Sequence, residues 1–295
     1  MSQPEPPLPP PSDPDPGPKP TSGLDGLRVV TFEARMSGSM ADLIRKHGGD
    51  PVEAPALREV PIGDNPQALE FADRLIAEQF DVVIFLTGVG TRYLAQEIET
   101  KYPRDQWVAA LRKCKIVTRG PKPLGPLREL KVKVDLTAPE PNTWRDLLAA
   151  LDAKIPVDGL RVAIQEYGQP SPELINGLID RGATVTQVPV YRWALPDDVE
   201  PLRKGIAEIV AGTIGAVTFT SAQQVVHLLE VAARDGLEAP LRAALSRSVL
   251  VASVGPTTTE MLEKLGLPID IEPDHPKMGH LILALAQRWR TISKQ

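Results

Sequence analysis

Short apolar runs alternate with longer amphipathic stretches through most of the chain. Val82-Val83-Ile84-Phe85-Leu86 and Ala216-Val217-Thr218-Phe219-Thr220 are the clearest runs; others lie at 28–32, 51–57, 115–118, 161–165, 184–191 and 249–253. They are near-continuous in Val, Ile and Ala, which is the pattern of strands covered on both faces of a parallel sheet. Between them apolar positions recur at helical spacing, as in Val225, Val226, Leu228, Leu229 and Val231. Strands alternating with helices predict an α/β fold.

The pattern occurs twice. Gly26 to Glu33 reads Gly-Leu-Arg-Val-Val-Thr-Phe-Glu, and Gly159 to Glu166 reads Gly-Leu-Arg-Val-Ala-Ile-Gln-Glu. Arg28 and Arg161, Pro55 and Pro189, Arg58 and Arg192, Phe85 and Phe219, and Gly120 and Gly255 all keep a separation of 133 to 135 positions. Two copies of one unit follow, each with three strand–helix blocks. In the first block, helices at 37–47 and 172–181 are followed by Gly48 and Gly182, which suits the left-handed position past a helix end. By itself the repeat allows two tandem halves as well as an interleaved arrangement.

Candidate chemistry lies in the turns that follow the strands. Thr87-Gly88-Val89-Gly90 and Ser221-Ala222 each lead from a buried strand into a helix start. Such turns offer backbone N–H groups and the positive end of a helix dipole to an anion. Two of them facing each other would make a cleft for a polyanion. Thr87, Gly88, Thr220, Ser221 and Ala222 are therefore candidate binding residues. So are Arg119, Gly120 and Lys122 after the strand at 115–118, and Gly255, Thr257 and Thr258 after the strand at 249–253, where a proline fits the first helical turn. Arg92 and Lys122 read equally well as solvated helix starts, and Arg35 is a further cation near the turns. Arg119, between a buried strand and Gly120-Pro121, reads as functional. Glu33 and Glu166 are repeat-related and read as turn partners before acid–base groups. Tyr191, in Val188-Pro189-Val190-Tyr191-Arg192-Trp193, either packs with its hydroxyl satisfied or donates a proton beside the cleft. Gly88-Val89-Gly90 starts like a dinucleotide fingerprint but has Tyr93 where the third glycine belongs.

Composition narrows the picture. A chain of 295 residues predicts about two domains, and a net charge of −5 argues against a broad nucleic-acid-binding face. One cysteine, Cys114, forbids an internal disulfide and reads as inert packing. No apolar run could span a bilayer and no secretion signal is visible, so a cytoplasmic protein is expected. Ten of the first twenty residues are proline, which predicts a disordered tail over 1–23. His275 and His280 lack the neighbours of a metal site.

The ordered set Phe219-Thr220-Ser221, Val254-Gly255-Pro256-Thr257-Thr258 and Val188-Pro189-Val190-Tyr191, together with the repeat, resembles the uroporphyrinogen-III synthase family over about residues 26–290. The resemblance implies two similar doubly wound parallel-sheet domains, joined by a two-strand connector, with a cleft between them. One domain would hold 24–57 and 193–295 and the other 58–192, with the connector near Ala54–Val60 and Pro189–Leu195. It implies a small polycarboxylate substrate, hydroxymethylbilane, cyclised with inversion of its last ring. It further implies Tyr191 as proton donor, Thr257 and Thr258 as substrate contacts, and no cofactor, nucleic acid or membrane; a monomer is expected. Thr31-Phe32-Glu33-Ala34-Arg35 departs from the family's usual segment after the first strand. Thr87 to Arg92 and Thr118 to Lys122 resemble a branch often joined to winged-helix domains, which implies the alternative of a non-catalytic tetrapyrrole- or anion-sensing module.

Overall fold

The computed structural model describes residues 23–168 and 170–292. The expected tail lies outside them except for Gly23, whose carbonyl accepts from Trp289 Nε1 at 2.9 Å. Leu24 beside it is fully buried.

In chain order the strands are β1 (Arg28–Thr31), β2 (Asp50–Glu53), β3 (Arg58–Pro61), β4 (Val82–Phe85), β5 (Lys115–Thr118), β6 (Leu136–Thr137), β7 (Arg161–Gln165), β8 (Thr184–Val188), β9 (Tyr191–Ala194), β10 (Ala216–Phe219) and β11 (Leu250–Ser253). Two parallel sheets result, with orders β11-β10-β1-β2 and β6-β5-β4-β7-β8. The long strand expected over 51–57 is shorter, because the chain leaves the first sheet after Glu53 to become β3. Likewise the run expected over 184–191 divides between β8 and β9. β3 and β9 pair antiparallel, with Glu59 opposite Trp193 and Pro61 opposite Tyr191, and form the ribbon that joins the sheets.

The copies are interleaved. β1 lies beside β10, with Val29 opposite Ala216, and β4 lies beside β7, with Val82 opposite Val162. Each sheet thus takes its first block from one copy and its later blocks from the other. All four residues of β4, β10 and β11 are buried, which is why these segments read as unbroken apolar runs. Helices cover both faces. Phe32 stacks on Phe219 at 4.8 Å between ring centroids in one core, and Leu147, Leu151, Leu174 and Leu178 close another. Burying each such side chain contributes about 1.5–3 kcal/mol.

The repeat extends to polar details. Asp135 Oδ2 accepts from Ile116 N at 2.8 Å, and Asp270 Oδ2 accepts from Val251 N at 2.7 Å, at equivalent edges of the two sheets. Cys114 is buried, its Sγ donates to Phe80 O at 3.3 Å, and burial pushes the thiol up to about 11, so it is packing. No helix among the described residues is long and apolar enough to cross a membrane.

Candidate functional site

Strand order reverses between β4 and β7 in one sheet and between β1 and β10 in the other. Crevices open at the carboxyl ends of strands at such switch points. At the first of them Thr87 caps the helix Gly88–Ile98, its Oγ1 accepting from Gly90 N at 3.1 Å. Thr87 N donates to Gln165 Oε1 at 3.3 Å. The amides of Gly88 and Val89 have no acceptor among the described residues, as expected for an anion-binding turn. Both glycines also meet a packing need. A Cβ on Gly88 would collide with the Lys122 carbonyl, and one on Gly90 with the Gln165 side chain.

The second turn differs from expectation. Gln224 Oε1 accepts from Thr220 N at 2.8 Å and Ser221 N at 3.2 Å, forming a capping box on the helix Ala222–Arg234. Those two amides are therefore occupied by the protein itself. The Thr220 hydroxyl donates to the Glu33 carboxylate, and Glu33 also accepts from Met36 N at 3.2 Å, so Glu33 is the turn partner its position predicted. Glu166 is not. Phe85 pairs with Gln165, which sets Leu86 opposite Glu166 where the other copy sets Thr220 opposite Glu33. A leucine donates nothing. Glu166 Oε1 is buried without a hydrogen-bond partner among the described residues, and burial pushes this carboxyl above its usual range.

Of the Thr pair, Thr257 is exposed and Thr258 is buried, so only Thr257 presents its side chain to solvent at the start of the helix Pro256–Lys264. A Cβ on Gly255 would press on Pro276, and one on Gly120 on Asn142. Arg119 to Lys122 is a turn and not a helix start, since the helix there runs Leu124–Glu129. Arg92 pairs with Glu129 at 3.0 Å on the exposed surface.

Two further cations act electrostatically on Lys122. The Lys122 side chain is wetted but walled in by protein, and its ammonium is pushed down by desolvation first, then by Arg35 and Arg119; Glu33 and Glu59 oppose this. Arg35 comes from the chain after β1 and the other two from the chain after β5, so both sheets contribute to this field. Arg35 Nη1 lies 3.4 Å from Glu59 Oε1 on the ribbon, and the Arg119 guanidinium lies 4.4 Å from the centre of the Tyr167 ring. Tyr191, 3% exposed, has its hydroxyl 3.4 Å from Thr87 Oγ1. Burial pushes its phenol up to about 12; the Thr87 contact opposes this, Glu59 reinforces it, and Arg119 and Arg35 oppose it. At neutral pH the group is an un-ionised phenol.

Residues 38–283 match the family described as uroporphyrinogen-III synthase HemD. The chain belongs to the uroporphyrinogen-III synthase family. It is 31% identical over 87% of its length to a putative uroporphyrinogen-III synthase of Methanothermobacter thermautotrophicus, covering 96% of that protein. It is 30% identical to the uncharacterised protein YjjA of Bacillus subtilis, over 90% of this chain and 97% of YjjA. A crystal structure of a mutant uroporphyrinogen III synthase from Thermus thermophilus superposes with a TM-score of 0.67 at 25% identity, covering 90% of this chain and all of that one.

In this member of the uroporphyrinogen-III synthase family the sheets also meet away from the ribbon. Glu140, after β6, accepts from Lys277 Nζ at 2.9 Å and lies 3.1 Å from His275 Nδ1, while Arg145 reaches Glu260 at 2.6 Å. Glu140 and His275 are repeat-equivalent, 135 positions apart, so a duplicated loop touches its own copy. Neither the spacing nor the composition announces this contact. The side chains are exposed, so salt screens them. Raising the ionic strength or introducing Glu140→Gln should widen the molecule, read as a larger radius of gyration in X-ray scattering. Lys277 first and His275 second hold the Glu140 carboxyl below its usual range, so the contact persists through mild acid and is lost as pH falls through that lowered value. An unchanged radius in both experiments would show that apolar contacts hold this rim.

Proposed function

We propose that the protein cyclises hydroxymethylbilane to uroporphyrinogen III, inverting the last ring and releasing water. The observation that carries this reading is the neutral Tyr191 phenol beside Thr87, with Arg119 and Arg35 acting on it and on Lys122. The catalytic cleft lies between two units, 24–57 with 193–295 and 58–192, and the protein acts as a monomer. Carboxylates of the substrate bind Arg119, Lys122, Thr257 and the open amides of Gly88 and Val89. Tyr191 donates its proton to the departing hydroxyl, which leaves as water. Thr87 can turn its hydroxyl hydrogen toward the Tyr191 oxygen and stabilise the phenolate that forms. The resulting azafulvene closes on the substituted carbon of the last ring to give a spiro intermediate. That intermediate rearranges, and the proton finally lost from carbon restores the phenol. The substrate supplies the reacting electrons, and the protein supplies orientation.

Freshly prepared hydroxymethylbilane closes unaided to isomer I, so the isomer ratio reports protein control directly. With the protein, isomer III should dominate and form faster than the spontaneous product. Isomer I alone at the spontaneous rate would refute the synthase reading. The near-complete burial of Tyr191 and the self-occupied amides at Ser221 favour a second reading, a tetrapyrrole- or anion-sensing module. Tight binding without turnover is the result that would select it.

A further inference from the structure

Three of the chain's four tyrosines and one of its four tryptophans gather in one row beside Arg119. Tyr93 lies 6.0 Å from Tyr191, Tyr191 lies 6.5 Å from Trp193, and Trp193 lies 5.5 Å from Tyr167, each distance between ring centroids. The Arg119 guanidinium ends the row over Tyr167. The rings are tilted or edge-on to one another, the arrangement aromatic quadrupoles favour.

Core packing accounts for Tyr191, which is buried, but less well for the other three. Tyr93, Tyr167 and Trp193 are only partly buried and sit at the margin of the core cluster that contains Tyr191. Tyr191 and Trp193 are two apart on β9 and so share one face of the ribbon. Glu59 stands opposite Trp193 on that face and pairs with Arg35. The backbone is shaped for the indole: a Cβ on Gly168, whose φ is +76°, would collide with the Trp193 ring. A chain that is only 4% aromatic has run this row through Tyr191 and ended it on the Arg119 guanidinium. Flat rings that carry carboxylates match both features.

We propose that this row is a platform on which pyrrole rings of a linear polycarboxylated tetrapyrrole lie, with Arg119 taking a ring carboxylate at its end. The proposal rests on the substrate class named under the proposed function. Holding the inner rings flat leaves the last ring as the part free to turn at Tyr191, so the platform sets which isomer forms.

The test uses the whole protein and uroporphyrinogen I, the colourless product of spontaneous closure, kept reduced under nitrogen. It should quench tryptophan fluorescence in the wild type, and Trp193→Phe should abolish most of that quenching. By calorimetry Trp193→Leu should weaken binding by about tenfold, the scale of one aromatic contact, and Trp193→Phe by much less. With hydroxymethylbilane, Trp193→Leu should raise the share of isomer I. Should that variant fail to fold, Tyr167→Leu takes its place. If the wild type makes isomer III while Trp193→Leu binds and partitions as the wild type does, the platform is overturned and the synthase reading stands. If the wild type makes no isomer III but binds the porphyrinogen, and Trp193→Leu loses that binding, the platform stands and the synthase reading falls. If the wild type neither binds nor turns over, both are overturned.

Discussion

Tyr191→Phe should lower the turnover of hydroxymethylbilane on the order of 10²-fold, the low end of what general acid catalysis supplies. The hydroxyl departs readily once assisted, so orientation retains part of the rate. KM should change little, because the substitution removes one buried oxygen and leaves the ring packed against Tyr93 and Trp193. A merely structural phenol predicts the reverse, an altered Tm with normal kcat. The alkaline limb of stability gives an independent reading. The folded-state phenol titrates near 12, above an unfolded value near 10. The folded state therefore holds the proton more tightly than the unfolded one. Its advantage is complete below pH 10 and is lost as pH rises toward 12, a change of about 3 kcal/mol. Tyr191→Phe should flatten that loss, leaving the one from Cys114, whose thiol is shifted the same way and titrates at lower pH. A variant with wild-type kcat would show that water or the substrate itself protonates the leaving group.

How much of this was legible in the chain depends on how far each interaction reaches. The strands were, because burial on both faces leaves an apolar run with no polar alternation, as in Val82 to Phe85. Their ends were not, because Glu53 and Tyr191 sit where the chain crosses between sheets and neither residue type marks a crossing. The interleaving of the copies came from the family resemblance, since equal offsets fit either arrangement; the register of Val29 on Ala216 decides it. Some local signals are written in the chain. Ser221 and Gln224 have capping-box spacing, which foretells that Gln224 occupies the Ser221 amide. Aligning Leu86 with Thr220 through the repeat foretells that Glu166 lacks the hydroxyl Glu33 has. The action of Arg35 on Lys122, the turn of Arg92 to Glu129 and the Tyr167–Trp193 contact depend on loop paths between distant segments. No periodicity in the chain encodes those paths.

Neutralising Arg119 and Lys122 together, as Arg119→Gln and Lys122→Gln, should weaken polycarboxylate binding by at least about tenfold at low salt, each tenfold step being about 1.4 kcal/mol. The gap should narrow as ionic strength rises and the Debye length falls to about 10 Å at 0.1 M. Lys122 has a further signature. Desolvation, then Arg35 and Arg119, make its charged form costly in the free protein, so its folded-state pKa lies below the usual lysine value. The unfolded chain therefore binds that proton more tightly, and the fold gains stability as pH rises between the lowered value and the ordinary one. Removing this charge should leave the free protein as stable or more stable, even as it binds substrate less well. A bound carboxylate reverses the cost, so wild-type binding should take up protons at alkaline pH and Lys122→Gln should abolish the uptake. Calorimetry in buffers of different ionisation enthalpy reads that uptake. Wild-type affinity and salt dependence in the double variant would mean that backbone amides such as Gly88 and Val89 hold the carboxylates alone, and that the three cations only balance Glu33 and Glu59.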